Sequence, residues 1–562
     1  DAGDSFDVTL NNIFTEIITS FGDADISLTL GDSGPVAVEL GDGNHTITTG
    51  NGSINAIYAA DGDHTLDLGS GRVNNIELDD GNHVVTQTDG DIRTIRFGDG
   101  NVTFNGGAGG IEFVDFGNGT NVFNAGTDFI QAVNGGNGDD TFHFQAGVDS
   151  VDLGRGDNVM TVETGFVAQV FSPSGNNTVT VTNGGEIRSI GSSGGVDDIT
   201  VDGPNSFIDQ VVIGSMNDTV AILNGARINQ VDTGSDDDTM TVEGAGSRIG
   251  QVGMGGGNDT FTLGIGARAG NINLGDGNNT FTDFTDTSRY IDRINAYGGD
   301  DTINVNDGGV GSVGAGSGDN TIVVGAGQIN QLRTLGDGND TLTVGSGRVD
   351  EADLDRGDNV VTVGSGRINT LITEGGNDSI SVGAGRIDII RSGDGNDTIV
   401  TGDQFVNTID TFDGMKDVTI GSGGVESVSL GNDADTVTTG DGFMDYLATF
   451  DGDDVVAIGA AGALFVNLGR GSDTLTADGF VNAIEGGDGG DSVTLTTQGA
   501  GSLRMGDGND TVTTGAGFVS AIRTQDGHDT VSVGTGGAWL VETGDGNDTV
   551  SAAGFVGLIR TG

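Results

Sequence analysis

The chain has 562 residues, 83 acidic against 21 basic, for a formal net charge of −62; only 34% of its residues are apolar, 107 are glycine and none is cysteine. Charge of that size argues against a nucleic-acid partner, the absence of cysteine removes disulfide support, and no apolar run reaches membrane-helix length, so no membrane insertion is expected. A chain this acidic and this poor in apolar residues buries too little surface to fold unless something neutralises it.

The glycines are not scattered. Counted from the first glycine of clusters such as Gly336-Asp337-Gly338-Asn339-Asp340, units begin at Gly3, Gly22 and Gly41 and return, mostly every 19 residues, as far as Gly544. The spacing lengthens to 20–22 residues only between about Pro173 and Gly336. No linker interrupts the array, so residues 1–562 read as one uninterrupted body of about 29 coils.

Within a unit the grammar is that of strands. Asp340-Thr341-Leu342-Thr343-Val344 alternates apolar with polar residues, and Gly345-Ser346-Gly347 turns the chain into a second short strand, Arg348-Val349. A unit this small cannot bury Leu342, Val344 and Val349 alone, but stacked copies can. The expected class is all-β: a single continuous parallel β-solenoid. At ~4.8 Å per coil it would be a rod of about 140 Å.

Gly336-Asp337-Gly338-Asn339-Asp340-Thr341-Leu342-Thr343 resembles the glycine-rich nonapeptide of RTX proteins, with Leu335 in place of the first glycine. The resemblance implies a right-handed, calcium-loaded β-roll, export by type I secretion, and an extracellular or bacterial cell-surface location. The second half of each unit reads GxG[R/F][V/I] without the aspartate, so one row of calcium sites is expected along one edge. Calcium takes hard oxygens from carboxylates and carbonyls. The implied ligands are Asp7, Asp140, Asp198, Asp218, Asp238, Asp259, Asp301, Asp340, Asp378, Asp397, Asp435, Asp454, Asp473, Asp491, Asp510, Asp529 and Asp548. Roughly 15 to 20 ions would cancel about half of the charge or more. The competing reading is that Asp and Asn stand there because they suit turns.

Elsewhere the same position holds Asn121, Asn158, Asn177, Asn279, Asn320 and Asn359, or His45, His64 and His83, or Ile26, Val102 and Lys416. Coils from about residue 22 to 135 are therefore expected to be calcium-poor, with the three histidines stacked in a ladder. After the second glycine turn an outward column carries Arg72, Arg188, Arg227, Arg248, Arg348, Arg367 and Arg386, then Phe405, Phe443, Phe480, Phe518 and Phe555 at every second coil, with Gly424, Ala463 and Ser502 between them. This is a candidate stripe for lateral self-association.

No catalytic constellation stands out: Gly191-Ser192-Ser193-Gly194-Gly195 is expected by chance in so glycine-rich a chain, and no enzyme is expected. The function expected is structural, an extracellular rod that associates with itself head to tail, since both terminal coils look regular and uncapped. The chain starts at Asp1 without a signal peptide, which suggests a processed or cut product. The 19-residue unit is also similar to the ice-binding repeat region of long RTX adhesins, so ice or carbohydrate binding, or an adhesin stalk, is the alternative.

Overall fold

The computed structural model describes residues 5–11, 16–286 and 290–562; the unit start at Gly3 lies outside them. The chain forms two compact units, Asp1–Thr280 and Phe281–Gly562. Among the described residues there are 58 strands and no helix. The all-β expectation holds: parallel strands stack as a β-solenoid of about 29 turns of ~19 residues.

Each turn contributes one strand to each of two sheets in parallel register, with one-residue shifts at Gly314–Gly316 and Arg391–Gly393. Thr341–Val344 pairs with Val360–Val363, and Arg348 and Val349 with Arg367 and Ile368. Because the side-chain period is two, the register puts Leu342, Val361, Ile380 and Ile399 in one fully buried column. Each such side chain contributes about 1.5–3 kcal/mol only because a neighbouring coil covers it. The first unit's own core carries buried rings, Phe104, Phe123, Phe142 and Phe144.

The longer coils of the first unit place their extra residues in one turn only. The span from Arg227 to Asp238, and from Arg248 to Asp259, equals that from Arg348 to Asn359, while the turn before Arg227 is lengthened by Asn224 at φ 53°. The other turn keeps its length in these coils, and in the second unit it gains a residue at Leu335. It passes through Gly357, Gly376 and Gly395 at φ 120–124°, and a Cβ on Gly395 would collide with the carbonyl of Gly376. Glycine suits both demands at these positions, although Met216 and Asp236 hold the equivalent place in the first unit at φ 83° and 80°.

Candidate functional site: a buried carboxylate column

This glycine turn delivers one side chain per coil into the interior. In the first unit this column runs through Ile26, His45, His64, His83, Val102, Asn121, Asp140, Asn158, Asn177, Asp197, Asp218, Asp238, Asp259 and Asn279. In the second it runs from Asp301 and Asn320 through Asp340, Asn359, Asp378, Asp397, Lys416, Asp435, Asp454, Asp473, Asp491, Asp510 and Asp529 to the half-buried Asp548. Two expected ligands are not in it. Asp7 pairs with Ser27 and is exposed, leaving Phe6 beside Ile26. Asp198 pairs with Thr178 and Thr219 and faces outward, so Asp197 takes the position. The turn glycine with positive φ is Gly195, two residues before Asp197, and this sets the register one residue from that expected.

The column is a hydrogen-bond ladder. Each N–H donates to the next side chain: Asp197 to Asp218 Oδ1, Asp218 to Asp238 Oδ1 and Asp238 to Asp259 Oδ1, all at 2.8 Å. In the second unit Lys416 donates to Asp435 Oδ1, and the chain continues through Asp454, Asp473, Asp491, Asp510 and Asp529 to Asp548 at 2.7–3.1 Å. Asparagine serves equally as acceptor, as when Asp340 donates to Asn359 Oδ1 at 3.0 Å.

The second side-chain atom separates the residue types. Asn279 Nδ2 donates to the carbonyls of Gly275 and Gly277 at 3.3 and 2.9 Å, Asn320 Nδ2 to Gly316 and Gly318 at 3.5 and 2.9 Å, and Asn359 Nδ2 to Asp355 and Gly357 at 3.4 and 3.0 Å. The histidines do the same through Nε2, to Gly41, Ala60 and Asp79 at 2.6–2.8 Å. An ionised aspartate has no hydrogen to give. The Oδ2 atoms of Asp140, Asp218, Asp259, Asp435, Asp473, Asp491, Asp510 and Asp529 are buried without a hydrogen-bond partner. Burial pushes the carboxyls of Asp140, Asp218, Asp259, Asp435, Asp473 and Asp510 up to about 7. Oxygens that only accept, converging in a buried turn, fit a hard cation.

Sequence reasoning missed a second buried column five residues upstream, carrying hydroxyls beside many of the polar slots. Ser392 Oγ donates to Asp397 Oδ2 at 2.6 Å, and Ser172 Oγ accepts from Asn177 Nδ2 at 2.9 Å. Thr233 and Thr449 sit in the same column but donate to the carbonyls of Met254 and Leu468 at 3.0 and 2.7 Å. No signal in the sequence links them to the slot, because a turn separates the two.

Lys416 has an environment of its own. Its Nζ lies 3.0, 2.5 and 3.1 Å from the carbonyl oxygens of Gly393, Gly395 and Asp413 and 2.9 Å from Asp397 Oδ2, and both side chains are wholly shielded from solvent. Among the described residues no three His, Cys, Asp or Glu side chains are placed to hold a metal together. Any cation site here has fewer than three such side chains, leaving backbone carbonyls as the other oxygens at hand.

Turn chemistry accounts for the outer acids. Asn339 donates its N–H to Asp319 Oδ1, Asp358 to Asn339 Oδ1 and Asn377 to Asp358 Oδ1, at 2.6–2.8 Å along the exposed rim. On the far edge, Arg348 pairs with Asp350, and Arg367 and Arg386 with Asp388. Arg188 falls two residues beyond this column, where Glu186 stands. Phe405, Phe443, Phe480, Phe518 and Phe555 are 41–62% exposed. The residues between them are Gly424, Gly462, Gly499 and Gly537, not Ala463 and Ser502, which fall in neighbouring columns.

Comparison with protein-family models, curated proteins and solved structures found no match.

Proposed function

We propose that the chain is an extracellular structural protein, a solenoid stabilised by calcium and built to associate with itself. The carrying observation is the row of buried Asp Oδ2 atoms, unpartnered in the very position where Asn and His offer an N–H to the turn carbonyls. Bound calcium would supply the missing positive charge, and its binding energy would be folding energy. The chain's own residues hold the oxygens in place: the turn glycines aim their carbonyls inward, and Oδ1, fixed by the N–H of the preceding coil, orients each carboxylate. Lateral self-association is supported by the exposed phenylalanines, and end-to-end association and surface location belong to the same proposal. Circular dichroism with and without chelator tests the calcium reading: identical spectra and melting curves would end it.

An ice-binding reading has one observation in its favour. Outward threonines stand two abreast on one sheet, at Thr239 and Thr241, Thr260 and Thr262, Thr436 and Thr438, Thr474 and Thr476, and Thr511 and Thr513. An ice-recrystallisation assay decides it; growth of crystals as in buffer would dismiss the reading.

A further inference from the structure

Lys416 is the one lysine in the chain and stands where every other coil of the second unit's column holds Asp or Asn. Its backbone behaves as theirs do, donating to Asp435 Oδ1 at 2.7 Å. Its side chain keeps one bond in its own turn, to the carbonyl of Asp413 at 3.1 Å, but directs the rest elsewhere. It reaches back one coil, into the turn of Asp397, and places the ammonium against the carbonyls of Gly393 and Gly395, the positions that Asn320 Nδ2 reaches at Gly316 and Gly318. Asp397 Oδ2, met by Lys416 Nζ and Ser392 Oγ, is not among the unpartnered oxygens, whereas Oδ2 of Asp378 on one side and of Asp435 on the other is. An uncompensated ammonium at this depth would be prohibitive, and four oxygens around it remove that cost.

We propose that the Asp397 turn is a cation cradle filled from within, the Lys416 ammonium standing where a free cation binds in neighbouring coils, so that this coil stays closed without metal. The proposal deepens the calcium reading and rests on it for the neighbouring coils only. It implies a fixed clamp inside the second unit, on either side of which closure depends on a dissolved ion.

Hydrogen exchange on the full chain tests it, with Lys416→Met removing the charge and keeping the stem. In chelator, residues 393–417 of the wild-type chain are expected to stay protected, and in Lys416→Met to exchange at least ~100-fold faster, as expected on removing one partner of a buried pair. Calcium is expected to restore the variant, which then binds one ion more than wild type. Unchanged protection of the variant in chelator would overturn the proposal. If calcium protects the flanking Asp378 and Asp435 coils but fails to restore 393–417 in the variant, the equivalence of ammonium and cation falls. If calcium protects neither the flanks of the wild type nor the variant, the calcium reading itself falls, and the loss at 393–417 in the variant still decides whether Lys416 is the clamp.

Discussion

The imidazoles of His45 and His64 lie 5.0 Å apart and within 2° of parallel, and the His45 N–H donates to His64 Nδ1 at 3.3 Å. With Nε2 held against the carbonyl of Ala60 at 2.6 Å, the proton belongs on Nε2 and Nδ1 must stay bare. The stack continues through His83 to Phe97 and Phe116. Coils of this kind carry their own N–H donor for the turn carbonyl.

Acid should open these coils first. Burial holds His64 down at about 4, against an ordinary 6.5, and lowers His83 as well, despite Asp63, Asp79 and Asp80 nearby. A folded-state value below the unfolded one means stability that is complete above about pH 6.5 and is lost as pH falls toward 4, about 1–3 kcal/mol for His64. Exchange protection across residues 45–83, taken relative to the intrinsic rate at each pH, should fall between pH 7 and 4.5, and the fall should be blunted in His64→Asn. Equal protection at both values would refute it.

Chelation should act unevenly. Coils with slots His45 to Asn121 should keep their exchange protection in chelator, while those with slots Asp435 to Asp529 lose theirs. Uniform loss over both units would show that the slot side chain does not set ion dependence.

Asp473→Asn and Asp473→Ala should differ sharply. Asparagine keeps the acceptor for the Asp454 N–H and offers an N–H toward Gly469 and Gly471, as Asn320 does to its own turn. It should be at least as stable as wild type in chelator and bind one ion fewer. Alanine leaves the Asp454 N–H buried and unmet, at about 1–3 kcal/mol. Denaturant titrations of both variants in chelator compare them directly.

Gly508→Ala should be severe despite adding one methyl group. Gly508 has φ 149°, and its Cβ would run into the carbonyl of Gly489 in the coil beneath. A loss of about 3 kcal/mol or more is expected, because both contacts are backbone and cannot yield. A melting temperature within 2 °C of wild type, where about 1 kcal/mol shifts a large domain by about 2–4 °C, would contradict this.

Phe480→Ser should leave the melt unchanged and weaken association. The ring is about half exposed and lies outside the buried columns, so its removal falls mainly at the surface. Sedimentation in millimolar calcium reads the result; identical profiles for variant and wild type would discard the stripe as a contact.

Much of this fold could be read before any coordinates, because Leu342, Val344 and Val349 repeat with a period that only stacking satisfies. The histidine ladder followed from the same spacing. What failed was register within a turn: Asp7 and Asp198 were placed by counting glycines, while the chain is registered by which residue must point inward. Direction was also hidden. Nothing in the letters says that Lys416 serves the coil before its own, or that Ser392 meets Asp397 across a turn. The sequence shows a slot broken at Lys416; the geometry shows that the break fills its neighbour.

The alternation of Phe443, Gly462, Phe480 and Gly499 along one edge gives that surface a longer unit than the fold beneath it. Backbone pairing counts single coils, and this edge counts pairs. Loss of the one coil that carries Gly462 would leave every ladder able to re-form, yet would bring two rings onto adjacent rungs and put all later ones out of step. Coils gained or lost in twos would leave it unchanged. Parity, invisible to stability, is what this edge would hold fixed as the array lengthens or shortens.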